Sequence, residues 1–276
     1  MKMTSIGFIG GGNMARSLIG GLLADGCSPH TLRVADPSPE QREILHQRFG
    51  VDTGSDNDAV AEQSDVVVLA VKPQVLREVA LQLAASIQRH KPLVISIAAG
   101  VREPDLCRWL GGEVAVVRSM PNTPALVRCG ASALFANTWV SPAQRQLAES
   151  ILRAVGLIVW VNDERLLDSV TALSGSGPAY FFLVMEALEQ AGIRLGLDPG
   201  QARLLTLQTA FGAAKMALES AESPAVLRAR VTSPGGTTEK ALAVLQAGEL
   251  EALFARALEA ACQRARELGE LLGNPT

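Results

Sequence analysis

Three consecutive glycines, Gly10-Gly11-Gly12, close the apolar stretch SIGFIG and open NMARSLIGGLLADG. Gly10-x-Gly12-x-x-Ala15, placed after a strand and before a helix, is the pattern of a dinucleotide-binding turn. The first glycine allows the tight turn, and the second lets a pyrophosphate approach the backbone. The small third residue lets helix and strand pack closely. The helix start adds main-chain N–H groups and a dipole favourable to an anion. A second stretch, Ser233-Pro234-Gly235-Gly236-Thr237-Thr238, also leads straight into a helix. Its N–H groups and hydroxyls suit a carboxylate. Thr237 or Thr238 acting as a plain helix N-cap accounts for it equally well.

Other residues join the glycine turn through their position at strand ends. The strand LRVAD ends at Asp36, where an acid commonly meets the ribose 2′-hydroxyl of NAD. Ser38 and Arg42 follow it and are able to meet the 2′-phosphate of NADP, so the sequence leaves both cofactors open. The buried strand DVVVLAV ends in Ala70-Val71-Lys72-Pro73-Gln74. Lys72 there can touch ribose or phosphate, and Pro73 suits a helix start. PLVISIAAG ends in Ala98-Ala99-Gly100, small enough to leave room for a nicotinamide. EVAVVRSM belongs to the same sheet, so Met120, Pro121 and Asn122 fall beside that nicotinamide, facing the C-terminal domain, with Asn122 able to donate and accept hydrogen bonds. RCGASALF reads as a further strand of the sheet, with Cys129 a bystander.

These residues need a scaffold of alternating elements. In the first half, short β-branched runs alternate with amphipathic stretches, such as NMARSLIGGLLADG with Met14, Leu18 and Leu22 at steps of four, and PEQREILHQRFG closed by Gly50. That alternation predicts a parallel sheet with helices on both faces. From about Asp163, past a candidate linker at VNDER, the strand-like runs stop. Long helical segments follow, AYFFLVMEALEQAGIRLGL, PGQARLLTLQTAFGAAKMALESA, TTEKALAVLQAG and ELEALFARALEAACQRARELGELL. Ala210, Gly212, Ala213 and Ala214 cluster in the second of them, and small residues let helices approach closely. A half this short, with helices this long, favours a dimer.

The bulk numbers narrow the classes. The chain has 276 residues, 48% of them hydrophobic, and a formal net charge of −3. It therefore carries no basic footprint for nucleic acid. No apolar run approaches the roughly 18 residues of a membrane span. Lys2 and the short run after it, broken by Gly10–Gly12, make a poor signal peptide, and a cytoplasmic, soluble protein is expected. Cys27, Cys107, Cys129 and Cys262 lie far apart, which predicts free buried thiols in a reducing compartment and no zinc site. His30, His46 and His90 lie away from the glycine motifs and are expected at the surface.

Taken together, GFIGGGNMA, AVKPQ, ISIAAG, RSMPNTPA, LSGSGPAY and above all VTSPGGTTEKAL resemble pyrroline-5-carboxylate reductase, the last enzyme of proline synthesis, over essentially the full length. The resemblance implies an α/β protein, with an N-terminal Rossmann-type NAD(P)-binding domain over 1–162. An all-helical dimerisation and substrate-binding domain over 163–276 would interlock with that of a second chain, the dimers assembling further into rings. It places Gly10, Gly11, Gly12, Asn13, Met14, Asp36, Ser38, Asn57, Ala70, Val71, Lys72, Pro73, Ala98 and Ala99 against NADPH or NADH and implies no metal; the preference between the two varies among relatives and does not carry over, and NADP is here somewhat favoured. Asn122, Ser233, Gly235, Gly236, Thr237 and Thr238 would bind L-1-pyrroline-5-carboxylate near the dimer interface. The loop would hold its carboxylate and Thr238 would hydrogen-bond the ring nitrogen. Relatives can carry an acid near the substrate at the end of the second long helix, where Ala221 and Glu222 share the place here.

The chemistry needs few groups. A protonated cyclic imine already accepts hydride, so the protein mainly orients the reactants. One proton must reach the nitrogen, from solvent or a positioned hydroxyl such as that of Thr238. This agrees with a second half that has no histidine and only Lys215 and Lys240. Two other readings remain. A two-domain hydroxyacid dehydrogenase would need a lysine acid-base on a long helix, for which Lys215 is the candidate. A dinucleotide-sensing dimer without activity would be expected to have a degraded SPGGTT loop, and here that loop is whole.

Overall fold

The computed structural model describes residues 4–273; Lys2 lies outside them. The chain runs β1 (Ile6–Ile9), α1 (Asn13–Ala24), β2 (Leu32–Ala35), α2 (Pro39–Phe49), β3 (Asp52–Gly54), α3 (Asn57–Glu62), β4 (Val66–Leu69), α4 (Pro73–His90), β5 (Leu93–Ser96), α5 (Glu103–Trp109), β6 (Val116–Met120), β7 (Gly130–Ala136), α6 (Pro142–Arg153) and β8 (Gly156–Trp160). Helices α7 (Leu166–Val170), α8 (Gly177–Arg194), α9 (Pro199–Glu219), α10 (Pro224–Arg230), α11 (Thr237–Ala247) and α12 (Leu250–Gly273) follow.

The strands form one sheet in the order β3-β2-β1-β4-β5-β6-β7-β8. The first six are parallel, in the doubly wound order in which ligands lie off the carboxyl ends of the strands. β7 corrects the expectation of an all-parallel sheet. It is antiparallel to β6, because the short turn over Thr123–Val127 returns the chain without a crossover helix; β8 then pairs parallel to β7.

β1, β4 and β5 are buried at every position, as expected for strands covered on both faces. Alternate residues feed two separate cores. Phe8, Val66, Val68 and Ile95 pack with α1, Leu45 of α2 and Leu152 of α6. Ile9, Val67, Leu69 and Val94 pack with Val60 of α3, Leu76 and Leu83 of α4, and Trp109 of α5.

By packing, the chain divides into two units, 4–176 with 261–273, and 177–260. The first therefore reaches past the change of sequence character at Asp163. Leu167 and Ala172 are buried, and Glu164 joins the sheet directly: its carboxylate takes the Arg118 guanidinium of β6 and the Glu103 N–H of α5, each at 2.5 Å. The end of α12 belongs to the same unit, with Ala265 and Gly269 buried. In 177–260 the only buried residues are Gly177 and Ala202. Asp198 caps α9 by accepting from the Gly200 and Gln201 N–H groups, and Ser223 caps α10, so these helices are well started but not internally packed.

All four cysteines are free, but none is fully buried, which corrects the sequence expectation: Cys27, Cys107 and Cys262 are half-buried and Cys129 is exposed. Cys107 sits against a carboxylate. Burial and the neighbouring Glu103, which accepts its S–H at 2.9 Å, push the thiol up to about 12. The three histidines are exposed.

Candidate functional site

The glycine turn is built by close approach. Gly10 adopts φ 100°, and a Cβ there would stand 2.8 Å from the Ala70 carbonyl oxygen, so β1 and the end of β4 admit only glycine at this point. Gly12 is the N-cap of α1, with nothing within 4 Å of where its Cβ would be. No side chain caps α1 and no acid lies in its first turn, so the helix start presents N–H groups and open space together. That combination fits a dinucleotide pyrophosphate.

The other predicted cofactor residues gather on the same carboxyl edge of the sheet. Asp36 follows β2 and is half-buried. Its Oδ2 accepts from Gly11 N–H at 2.8 Å and its Oδ1 from Ser38 N–H at 2.9 Å. Ser38 is the N-cap of α2, its hydroxyl accepting from Gln41 N–H. Arg42 Nη1 donates to the carbonyls of Asp36 at 2.7 Å and Pro37 at 3.1 Å. Asn57 opens α3 beyond β3. Ala70, Val71 and Lys72 follow β4, with Lys72 exposed at the N-cap of α4 and Pro73 at its first position. Ala98, buried, and Ala99 follow β5.

Asn122 follows β6 on that edge, but its amide is largely committed within the protein. Oδ1 accepts from Ala131 N–H at 2.9 Å, and Nδ2 donates to the Ser174 carbonyl at 3.1 Å, leaving one N–H. Ser174 belongs to a π-helical turn, Thr171–Gly175, closed by Ser176 N–H on the Thr171 carbonyl at 2.8 Å. LSGSGPAY thus begins in a widened turn continuous with α7, of a kind frequent at functional sites, and runs on into α8 at Gly177.

In the second unit, Gly235 at φ 73° and a turn from Gly236 N–H to the Ser233 carbonyl bring the chain extended into α11. Gly236 is therefore the N-cap, with no side-chain cap, and Thr237 and Thr238 are the first helical residues; the alternative of a plain threonine cap does not hold. Thr238 is half-buried, while Ser233 and Thr237 are exposed. Glu239 reaches back to take Gly235 N–H at 2.8 Å, a contact the spacing of four residues within one helical turn makes possible and the sequence reading missed. Glu222 pairs with Arg230 at 2.5 Å through one oxygen, the other being buried without a partner. Lys215 is exposed and pairs with Glu219 one turn along α9, an ordinary surface pair rather than an acid-base.

Among the described residues, no group of three or more His, Cys, Asp or Glu side chains is disposed to hold a metal ion, and no helix is long and apolar enough to cross a membrane.

The family model described as pyrroline-5-carboxylate reductase dimerisation matches residues 164–268, and that described as NADP oxidoreductase coenzyme F420-dependent matches 5–100. The chain is 52% identical to the pyrroline-5-carboxylate reductase of Pseudomonas aeruginosa, over 99% of this chain and 100% of that one. To that of Escherichia coli it is 37% identical, over 96% and 98%. A solved pyrroline-5-carboxylate reductase from Coxiella burnetii matches with a TM-score of 0.94 at 50% identity, covering 97% of this chain and 99% of that one. The pyrroline carboxylate reductase of Plasmodium falciparum, solved with NADP bound, matches with a TM-score of 0.85 at 30% identity, over 98% and 99%. Matched at this identity over almost its whole length, and in its fold over 97% of it, the chain belongs to the pyrroline-5-carboxylate reductase family.

Proposed function

We propose that this protein reduces L-1-pyrroline-5-carboxylate to L-proline with a hydride from NAD(P)H, the last step of proline biosynthesis. The observation that carries the reading is that one chain holds two glycine-capped helix starts without a side-chain cap, α1 and α11, in a family of this activity. The first suits a pyrophosphate and the second a carboxylate.

Residues 1–162 would form the NAD(P)-binding domain and 163–276 the dimerisation and substrate-binding domain. The N–H groups from Gly12 to Met14 would hold the pyrophosphate, the Gly11 N–H being taken by Asp36, with Lys72 near ribose or phosphate and Ala98–Ala99 leaving room for the nicotinamide. NAD(P)H, when bound, supplies the hydride. NADPH is the favoured cofactor: Ser38 and Arg42 stand at the turn after β2, where a 2′-phosphate would lie. Ser233, Gly235, Gly236 and Thr237 would hold the substrate carboxylate. The Thr238 hydroxyl would hydrogen-bond the ring nitrogen and fix the imine carbon for hydride delivery, and Asn122 would line the substrate site. No metal takes part.

Association with copies of itself follows from the family and from a second unit without a core of its own. Phe181, Phe182, Leu204 and Leu218 each expose more than half of their surface, an arrangement an isolated monomer rarely keeps. A homodimer through this helical unit, further assembled as a ring, and a cytoplasmic location complete the proposal.

The experiment is a side-by-side measurement of NADPH and NADH oxidation with pyrroline-5-carboxylate, and of NAD(P)⁺ reduction with 3-hydroxy acids. Turnover of the imine alone is expected. Turnover of hydroxy acids alone would replace this reading with a dehydrogenase.

A further inference from the structure

The carboxylate at the end of β2 meets the protein's own backbone on both oxygens. Gly11 N–H reaches Oδ2 at 2.8 Å and Ser38 N–H reaches Oδ1 at 2.9 Å. Hydrogen bonds to an ionised acceptor are roughly twice as strong as neutral ones. An acid in this place commonly receives the ribose 2′-hydroxyl and so selects NADH. Here its two donors come from two different turns. Gly11 lies in the glycine turn before α1, and Ser38 is the N-cap of α2. One carboxylate therefore joins the turn suited to the pyrophosphate to the turn suited to the adenosine ribose.

The surroundings make this a tight fit. A Cβ on Gly11 would stand 3.3 Å from Asp36 Oδ2 and 2.6 Å from Leu45 Cδ1, so the glycine N–H is held against the carboxylate with no room to withdraw towards α2. On the main-chain side, Arg42 clasps the carbonyls of Asp36 and Pro37. The turn is thus braced through its carboxylate and through its carbonyls, and the carboxylate faces the glycine turn.

We infer that Asp36 is a positioning residue for the dinucleotide, a clamp between the two turns, and not the residue that chooses between NADH and NADPH. The inference rests on the NAD(P)H reading given above. A ribose reader and a clamp differ in what their loss does. Removing a reader frees the site of a negative charge and favours NADPH selectively. Removing a clamp loosens the Gly11 and Ser38 N–H groups, and both cofactors lose a preformed backbone.

The test uses the full-length protein and the variants Asp36→Asn and Asp36→Ala, with the Kd of NADH and of NADPH measured by calorimetry and the melting temperature of each variant recorded. The clamp predicts that both Kd values rise together, on the order of tenfold for alanine and less for the near-isosteric asparagine, with their ratio held within about threefold. Binding is read on folded protein below its melting transition, which a general loss of stability would not shift. A ratio that swings tenfold or more towards NADPH overturns the inference, and so do two unchanged Kd values. If alanine does not fold, asparagine alone carries the comparison. Failure of the NAD(P)H reading shows differently, as an unsubstituted protein that binds neither dinucleotide, and it removes the inference with it.

Discussion

The side-chain amide of Asn122 donates to the main-chain carbonyl of Ser174 at 3.1 Å, joining residues 52 positions apart in sequence. It ties the end of β6 to the π-helical turn. On the same turn, a Cβ on Gly175 would stand 2.6 Å from Met120 Cε, so glycine there lets the Met120 side chain lie against the backbone. Two motifs that look independent in the sequence thus meet, RSMPNTPA through Met120 and Asn122 and LSGSGPAY through Ser174 and Gly175. Asn122→Ala removes both amide hydrogen bonds and is expected to lower stability by about 1–3 kcal/mol. It should reduce kcat/KM on the order of tenfold while the oligomer persists. Asn122→Asp keeps an acceptor for Ala131 N–H but loses the donor to Ser174, and should be no better than alanine. Thermal melts and steady-state kinetics check this; an Asn122→Asp variant with full activity would contradict it.

Gly10 and Gly12 should respond oppositely to alanine. At Gly10 the left-handed backbone and the Ala70 carbonyl leave no room, so Gly10→Ala should destabilise the fold by about 1–3 kcal/mol. Gly12 has φ −69° and open space, so Gly12→Ala should leave the melting temperature nearly unchanged while weakening dinucleotide binding. Melting curves paired with binding titrations separate the two. A Gly12→Ala protein that binds the dinucleotide normally would remove the pyrophosphate from this helix start.

Cys107 is held protonated. Burial and the Glu103 carboxylate push its pKa up to about 12, above the ordinary thiol value of 9.0, so the stabilising contribution is complete below about pH 9 and is lost as pH rises towards 12. Stability should fall over that alkaline range, and less steeply in Cys107→Ala. Alkylation at mildly alkaline pH should modify exposed Cys129 well before Cys107. Equal labelling rates in the folded protein would contradict the placement of Cys107.

The second unit should be stable only as part of an oligomer. Leu204 is 70% exposed and Leu218 80% exposed on α9 in a single chain. Leu204→Arg and Leu218→Arg should shift sedimentation towards the monomer and make the melting temperature fall on dilution. Unchanged sedimentation of both variants would show that α9 is not at the interface.

Local signals carried much of this structure. Gly10-x-Gly12-x-x-Ala15 specifies its strand-turn-helix by steric demand within a few residues, and Gly50 ends α2 in the left-handed conformation as its position implies. The continuous β-branched run of β4 announced burial on both faces. What escaped depends on contacts between distant segments. The π-helical turn packs Gly175 against Met120, the antiparallel β7 shows only in its pairing with β6, and the partners of the Asp36 carboxylate come from two turns at once. The cap of α11 falls on Gly236, whose N–H closes a turn on the Ser233 carbonyl, and on neither threonine. Composition could not place Cys129, which follows Arg128 at φ 58° and is exposed.

The loop at the start of α11 is the account's centre, and Thr238→Ala tests it most directly. With pyrroline-5-carboxylate and NADPH, the variant is predicted to lose on the order of 10- to 100-fold in kcat/KM, about 1.4–3 kcal/mol of transition-state stabilisation. Its affinity for NADPH should stay nearly unchanged. A Thr238→Ala protein that turns over the imine at the normal rate would contradict the hydrogen bond to the ring nitrogen.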